Sequence, residues 1–216
     1  SEESYPYLSA YVLSSLFTTK QAGYSVDQAV MDRTADYLNG VLRTGQSEVL
    51  DLTNRAAILY ALSNVGRSDE SLLNNLYPER QKLPLFAQAQ LAMAYQNLSG
   101  SRNSSKARSL LEEIVQHAKV DGRGTHFEED GEQSFYDTLM HTNERTTAIV
   151  LRALLAINPT HALIPAIVRY ELAVREQGHW DTTQSTVETL LALTEYLQET
   201  KELDATFAAG VQINGK

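Results

Sequence analysis

The 216-residue sequence contains no cysteine, one tryptophan and five prolines. Without cysteine the chain cannot form a disulfide, a thiolate nucleophile, a zinc site with sulfur ligands or an iron–sulfur centre. Its apolar runs are short, and none approaches the roughly 18 residues that a membrane-spanning helix needs. The first four residues, Ser-Glu-Glu-Ser, lack both the basic and the apolar region of a signal peptide. We therefore expect no insertion of this segment into a membrane.

Basic residues are also scarce, with 18 Lys and Arg against 27 Asp and Glu, which gives a net charge of −9. The acidic residues are spread along the chain, and no basic stripe offsets them. Because affinity for nucleic acids comes mainly from neutralising phosphates, this composition excludes nucleic acid as an expected partner. The apolar fraction of 43% and the charged fraction of 21% are those of a folded globular protein.

Apolar residues recur at intervals of three and four along almost the whole chain, which predicts an all-α fold. The stretch 121–133 is the least helical part and is predicted to be a long loop. The tail 206–216 alternates weakly and predicts a strand, so we expect a helical unit over 1–205 and a strand-like exit over 206–216. Ser25 is a predicted N-cap of the second helix. Helices are expected over about 6–22, 26–44, 57–65, 68–77, 85–99, 105–117, 142–157, 163–176 and 182–200.

Several of these helices combine alanine with bulky branched residues, as in 57–62, 91–95 and 147–154. Alanine lets helix backbones approach closely, and the branched residues fill the remaining space. More amphipathic helices lie between them, so inner and outer helices are expected to alternate. An open solenoid and a closed ring of helical hairpins both satisfy this pattern. The repeats have unequal lengths and no fixed period, which favours the ring, an α/α toroid.

Three segments, in order, resemble the thioester domain of the alpha-2-macroglobulin and complement family. Residues 7–16 read YLSAYVLSSL and are similar to an early helix of that domain. Residues 143–155 read NERTTAIVLRALL and are similar to a later one. Residues 178–193 read GHWDTTQSTVETLLAL and resemble the turn and helix that close the domain. The connecting repeats, from Pro84 onward, are closer to the bacterial members.

The resemblance implies an α/α toroid within a long chain of β-sandwich domains that traps proteases. The family's chemistry uses a thioester within a Cys-x-Glu-Gln motif, together with a downstream His. Both precede the helix that 7–16 resembles, so we expect an incomplete toroid without the reactive centre. Alternatively, the parent belongs to a bacterial branch that lacks the thioester. The expected partners are proteases, through the full-length parent, and neighbouring β-sandwich domains. The expected location is the periplasm or cell envelope, with secretion as the alternative.

The sequence offers no residue for a catalytic, cofactor-binding or metal role. Residues 130–133, Asp-Gly-Glu-Gln, mimic the thioester motif, but an Asp carboxylate cannot form a thioester and the position is far downstream. His126, Glu128 and Glu129, with the acids of 130–133, fit neither an EF-hand nor a His-Glu-x-x-His site. We interpret this stretch as a solvated acidic loop.

One turn is a candidate contact with a partner: His179, Trp180, Thr183 and Gln184. In the resembling domains this turn lies toward one end of the toroid. The single Trp of a chain usually serves a core or an interface, so Trp180 is expected to plug that end.

The predicted function is therefore non-catalytic: a helical domain that shields the thioester region of a broad-spectrum protease inhibitor. An α/α-toroid glycoside hydrolase and a helical-repeat protein-binding scaffold are the alternatives. If the first hairpins of the ring are missing, the apolar faces near Leu8, Val12 and Leu16 should be poorly covered.

Overall fold

The computed structural model describes residues 5–44, 50–99, 104–129 and 142–201. These residues form an almost entirely helical structure with one short antiparallel hairpin, so the all-α prediction is confirmed. The elements are α1 (Pro6–Gln21), α2 (Gln28–Arg43), α3 (Leu52–Asn64), α4 (Glu70–Leu76), a 3₁₀ helix (Tyr77–Lys82), α5 (Leu85–Ser99), α6 (Ser105–Val115), β1 (Lys119–Val120), β2 (Thr125–His126), α7 (Asn143–Ile157), α8 (Ile164–Ala173) and α9 (Thr183–Thr200). The predicted strand at 206–216 lies outside the described residues.

The helices begin where a side-chain oxygen can accept a hydrogen bond from an unpaired backbone N–H. Thr142 caps α7 and Thr182 caps α9 in this way. The predicted N-cap at Ser25 is wrong, because Asp27 accepts the backbone N–H of Ala29 at 2.9 Å. Its carboxylate adds an attraction to the positive end of the helix dipole that a hydroxyl lacks.

Helices α1, α3, α5, α7 and α9 form a row in which each packs along the next, and we call them the inner row. Helices α3, α5 and α7 carry apolar residues on nearly all of their sides, and most side chains of these three helices are buried. Helices α2, α4 and α6 each bridge two consecutive members of the row, and α8 packs on α7. Helices α2 and α6 bury one face only, which is why their sequences are amphipathic.

The helices α1, α5, α7 and α9 have their N-termini at the same end of the inner row. Arg145 in the first turn of α7 donates to the hydroxyl of Tyr7 in the first turn of α1. The hydroxyl oxygens of Thr142 and Ser185 lie 2.6 Å apart and join the starts of α7 and α9. Glu129 joins the starts of α5 and α7. The positive ends of four helix dipoles therefore meet at this end.

The hairpin β1–β2 connects α6 to the segment before α7 and packs on α8. Asp121 accepts the backbone N–H groups of Arg123 and Gly124, which shapes the tight turn. Gly124 has φ +151°, and a Cβ built there would lie 2.3 Å from the carbonyl oxygen of Ala166 in α8. Residues 121–129 are non-helical as predicted, but the hairpin itself is not visible as a sequence pattern because each strand has only two residues.

In the described residues 5–44, 50–99, 104–129 and 142–201, no helix combines the length and hydropathy needed to cross a bilayer.

Candidate functional site

A cavity of about 550 Å³ lies between the helices of the inner row. Side chains of α1 and α9 form most of its lining, and α3, α5 and α7 contribute the remainder. Two arginines of α7, Arg145 and Arg152, reach this central cavity. They are seven residues apart, which places them on the same face of the helix, two turns from each other.

Arg152 forms a closed ionic cluster with two carboxylates of α9. Its Nε donates to Glu195 at 3.0 Å, and its Nη1 donates to Glu188 at 3.0 Å. Burial disfavours the charged guanidinium, but Tyr60 and the two carboxylates outweigh that effect and hold the pKa of Arg152 well above its ordinary value. Arg152 therefore stays charged, and its hydrogen bonds to the two carboxyl groups tie α7 to α9.

The same cluster bears on the glycoside hydrolase alternative. Glu188 and Glu195 lie on one helix and share a single guanidinium. Glycoside hydrolysis uses two carboxyl groups that flank the bond from opposite sides, one of them protonated. Glu188 and Glu195 extend from the same helix to the same guanidinium, so they do not flank a space for a glycosidic bond from opposite sides.

Arg145 differs from Arg152 in having no carboxylate partner among the described residues. Its side chain is almost fully buried, at 2% exposure, and its guanidinium lies over the ring of Phe86 at 4.7 Å. Nη2 donates to the Tyr7 hydroxyl at 3.3 Å. Nε and Nη1 have no hydrogen-bond acceptor in the part of the chain that the structure describes. The buried guanidinium of Arg145 at the edge of the cavity therefore has two nitrogen atoms that donate no hydrogen bond to the described residues.

The predicted contact turn begins with an isolated bridge between Glu176 and His179. Trp180 is 2% exposed and donates from Nε1 to the carbonyl oxygen of Glu171 at 2.8 Å. It lies just before α9, at the end of the inner row where the N-termini meet. Its ring contacts residues of this chain, while His179 is exposed.

The other two residues of that turn lie in the first turn of α9. Thr183 is exposed, and Gln184 is partly buried with an amide oxygen that accepts no hydrogen bond in the described ranges. The structure therefore exposes His179 and Thr183, buries Trp180 and partly buries Gln184. The four residues do not form one exposed surface. A partner contact at this turn stays a prediction.

The acidic loop is only partly as predicted, because Glu129 is not a solvated residue. Its carboxylate accepts the backbone N–H groups of Leu85 at 2.7 Å and Phe86 at 3.0 Å, and the hydroxyl of Thr146 at 2.9 Å. The two backbone N–H groups are unpaired donors at the start of α5, so the carboxylate caps that helix from a distant segment. The loop interpretation is wrong at this residue.

The neighbouring candidate ligands also have partners within the chain. His126 is buried, its ring stacks on Tyr170 with centroids 4.5 Å apart, and its Nε2 lies 3.0 Å from a carboxylate oxygen of Glu128. Glu128 also pairs with Lys119, and both contacts hold the pKa of its carboxyl below the ordinary value. No three His, Asp or Glu side chains of the described segments are placed to hold a metal ion. Residues 130–133 lie outside those segments.

The sequence analysis missed both arginines of the cavity. A signal was present, because α7 carries Arg145 and Arg152, and α9 carries Glu188 and Glu195, each pair seven residues apart within apolar helices. Opposite charges at matching spacing predict that two helices face each other. That Arg145 is left without a carboxylate could not be read from this spacing.

The chain is similar to several known proteins, although no protein-family model matches it. An alpha-2-macroglobulin homolog of Nostoc sp. is 25% identical over the whole chain, which spans 11% of that protein. The structure of Salmonella alpha-2-macroglobulin reacted with methylamine matches 89% of the chain with a TM-score of 0.70 and 16% identity, over 12% of that protein.

Trypsin-activated alpha-2-macroglobulin from Escherichia coli matches 91% of the chain with a TM-score of 0.64 and 15% identity, over 13% of its own length. Likeness to solved structures at this identity shows a shared fold. The chain thus spans about a tenth of the length of the proteins it matches. The resemblance to alpha-2-macroglobulins drawn from the sequence is confirmed, because the chain is similar over its whole length to the Nostoc homolog and shares its fold with the two solved structures.

Proposed function

We propose that this chain is the non-catalytic helical domain of a larger alpha-2-macroglobulin-like protease inhibitor. Its inner row would be the greater part of an α/α toroid, whose remaining helices are supplied by the rest of the parent. The similarity to bacterial alpha-2-macroglobulins along the chain supports this proposal, as does the meeting of parallel helix N-termini at one end. The chain performs no reaction of its own in this account.

The observation that carries the proposal is the exposure of apolar side chains on both edge helices of the inner row. Leu8 and Val12 on α1 are 57% and 42% exposed, as predicted, whereas Leu16 is partly buried against the core. On α9, Leu190 is 52% exposed and Val187 is 38% exposed. The helices between them bury almost all their apolar groups. Apolar faces at both edges are what a row of helices has when other protein covers them.

The role of the domain would be to keep water away from a reactive acyl group elsewhere in the parent. A thioester hydrolyses when it is wet, and a closely packed apolar layer delays that reaction. Helices α3, α5 and α7 provide such a layer, since residues such as Ile58, Phe86 and Ile149 are at most 1% exposed. In a parent without a thioester, the same layer would have a purely architectural role.

Partners and location follow from the same proposal. The E. coli relative is described as trypsin-activated and the Salmonella relative as reacted with methylamine. By analogy, the parent of this chain would trap proteases, and the domain itself would contact neighbouring β-sandwich domains. The periplasm or cell envelope is the proposed location.

The test compares the full natural gene product with the isolated 216-residue chain. Each is incubated with trypsin, and the cleavage of casein and of a small chromogenic peptide is measured. The proposal expects the full product to reduce casein cleavage while sparing much of the peptide cleavage, because a trapped protease excludes large substrates. It expects the isolated chain to change neither rate. Full casein cleavage in the presence of a larger, folded gene product would overturn the proposal.

A further inference from the structure

We propose that Glu171 makes a pH-sensitive contact: its protonated carboxyl group keeps the end of α8 and the turn 176–182 packed against α7 and α9, and loss of the proton releases them. Glu171 lies in α8, outside the lining of the central cavity, and its side chain is 0% exposed. Its burial is complete within this chain, so it does not depend on what covers the edges of the inner row.

The carboxyl group of Glu171 has few hydrogen bonds for a buried carboxylate. Thr189 of α9 donates to its Oε2 at 3.3 Å, and Oε1 accepts no hydrogen bond from the described residues. Glu129, by contrast, accepts hydrogen bonds from two backbone N–H groups and a hydroxyl. Because a buried charge without hydrogen-bond partners is costly, the surroundings of Glu171 favour its neutral form over its ionised form.

The charged groups of the neighbouring elements add to this preference. Burial raises the pKa of Glu171 well above its ordinary value, and the like charge of Glu144, in the first turn of α7, raises it further. The arginines of α7 reach the central cavity instead. The described side of α9 presents the uncharged Thr189, and the titratable side chains of the turn are exposed. The hairpin carries two acid–base pairs, Arg123 with Asp121 and His126 with Glu128.

The end of α8 depends on this carboxyl group because little else is buried there. The buried residues of α8 are Ile164, Ile167, Tyr170 and Glu171, and only the last two lie in its final turn. The backbone carbonyl oxygen of Glu171 also accepts the indole N–H of Trp180 at 2.8 Å. Segments with few buried contacts open at a low cost in free energy. The contact of Glu171 therefore controls both the end of α8 and the indole.

Ionisation of Glu171 acts on these contacts through its need for water. The carboxylate reaches water when the end of α8 moves away from α7 and α9, and the proton passes to the solvent. This movement removes the carbonyl oxygen from the indole N–H of Trp180, so the indole becomes accessible. Above the folded-state pKa, each pH unit makes such an opening about tenfold more favourable. The inner row does not take part, so its helices remain folded.

Tryptophan fluorescence of the purified chain tests the proposal, because Trp180 is its only tryptophan. Emission and quenching by acrylamide are measured from about pH 5 to about pH 9, with far-ultraviolet circular dichroism in parallel. The expected result is a shift of the emission to longer wavelength and a rise of at least about twofold in the quenching constant, while most of the helical signal is retained. Constant emission over this range, or a change that coincides with loss of the helical signal, would overturn the proposal.

Two variants assign the transition to Glu171. Glu171→Gln carries no proton to lose, so its indole should stay protected at every pH. The matched control is Glu176→Gln, which removes an exposed carboxylate of the turn and should titrate as the wild type does. The same fluorescence transition in a folded Glu171→Gln variant would show that another group causes it, and the proposal would fail.

Glu144→Gln gives a test that leaves Glu171 in place. Removing the like charge lowers the pKa of Glu171, so the fluorescence transition should move to lower pH. General alkaline unfolding would not respond in this direction. A transition that stays at the wild-type pH in Glu144→Gln would contradict the proposal, even if Glu171→Gln did not fold.

Discussion

Replacing Gly124 with alanine should strongly destabilise the protein, because this glycine lies against the backbone of α8. Its φ of +151° is a conformation that residues with a Cβ rarely adopt. A Cβ would also lie 2.3 Å from the carbonyl oxygen of Ala166 and 2.9 Å from the backbone nitrogen of Tyr170. Both atoms belong to the hydrogen-bonded backbone of α8, so neither can move without distorting that helix.

The magnitude follows from two contributions. Holding a non-glycine residue in such a conformation costs about 1–3 kcal/mol. Forcing an extra carbon into an occupied space costs about 1–3 kcal/mol. If the hairpin moves away to relieve the overlap, the stacking of His126 on Tyr170 is lost instead, at about 0.5–1.5 kcal/mol. We therefore expect the free energy of unfolding to fall by about 2–6 kcal/mol.

Urea unfolding followed by far-ultraviolet circular dichroism measures this effect as a lower midpoint with an unchanged slope. Gly122→Ala is the matched control, since a Cβ at Gly122 meets no atom within 4 Å and the residue lies in the same turn. We expect that control to remain within about 0.5 kcal/mol of the wild type. Equal midpoints for the two variants would refute the packing of the hairpin on α8.

Three further changes test other parts of the structure. Glu129→Gln should lower the free energy of unfolding by about 1–3 kcal/mol in urea, because a neutral amide is a weaker cap for α5; an unchanged midpoint would contradict that cap. Burial, with Glu144 adding to it, raises the pKa of Glu171 well above its ordinary value near 4.5. The folded state thus binds this proton more tightly than the unfolded state, so its contribution to stability is complete below pH 4.5 and is lost as the pH rises through the folded-state pKa. Glu171→Gln should flatten that decline in urea titrations, and an unaltered pH dependence would argue against a buried acid there. The isolated chain should associate as its concentration rises, and Leu8→Lys combined with Val12→Lys should reduce the association in light scattering; a wild-type chain that stays monomeric throughout would count against exposed apolar edges.

The helical fold was predictable because its cause is local. Apolar residues at three- and four-residue spacing bury one side of each helix, and the helix predicted between Pro84 and Gly100 is present as α5, Leu85–Ser99. Helix α3 begins at Leu52, before the apolar residues from Ala57 that indicate it in the sequence, because its first turn contains the polar Thr53 and Asn54 and only later turns are densely apolar.

The candidate site was not predictable in the same way, because its contacts join residues that are distant in sequence. Glu129 lies 44 positions from Leu85, and Arg145 lies 138 positions from Tyr7. The sequence shows a charge within an apolar helix, but only the packing of five helices decides which charge is paired. Arg152 meets two carboxylates on α9, whereas Arg145, on the same face of the same helix, meets a phenol and an aromatic ring.

The comparison of trypsin inhibition by the full natural gene product and by this chain alone tests the central claim most directly. If this chain is the non-catalytic helical domain of an alpha-2-macroglobulin-like inhibitor, an antibody against it should detect a product several times larger than 24.0 kDa that protects casein from trypsin. The isolated chain should give no protection. A natural product of about 24 kDa, or protection of casein by the isolated chain, would contradict the claim.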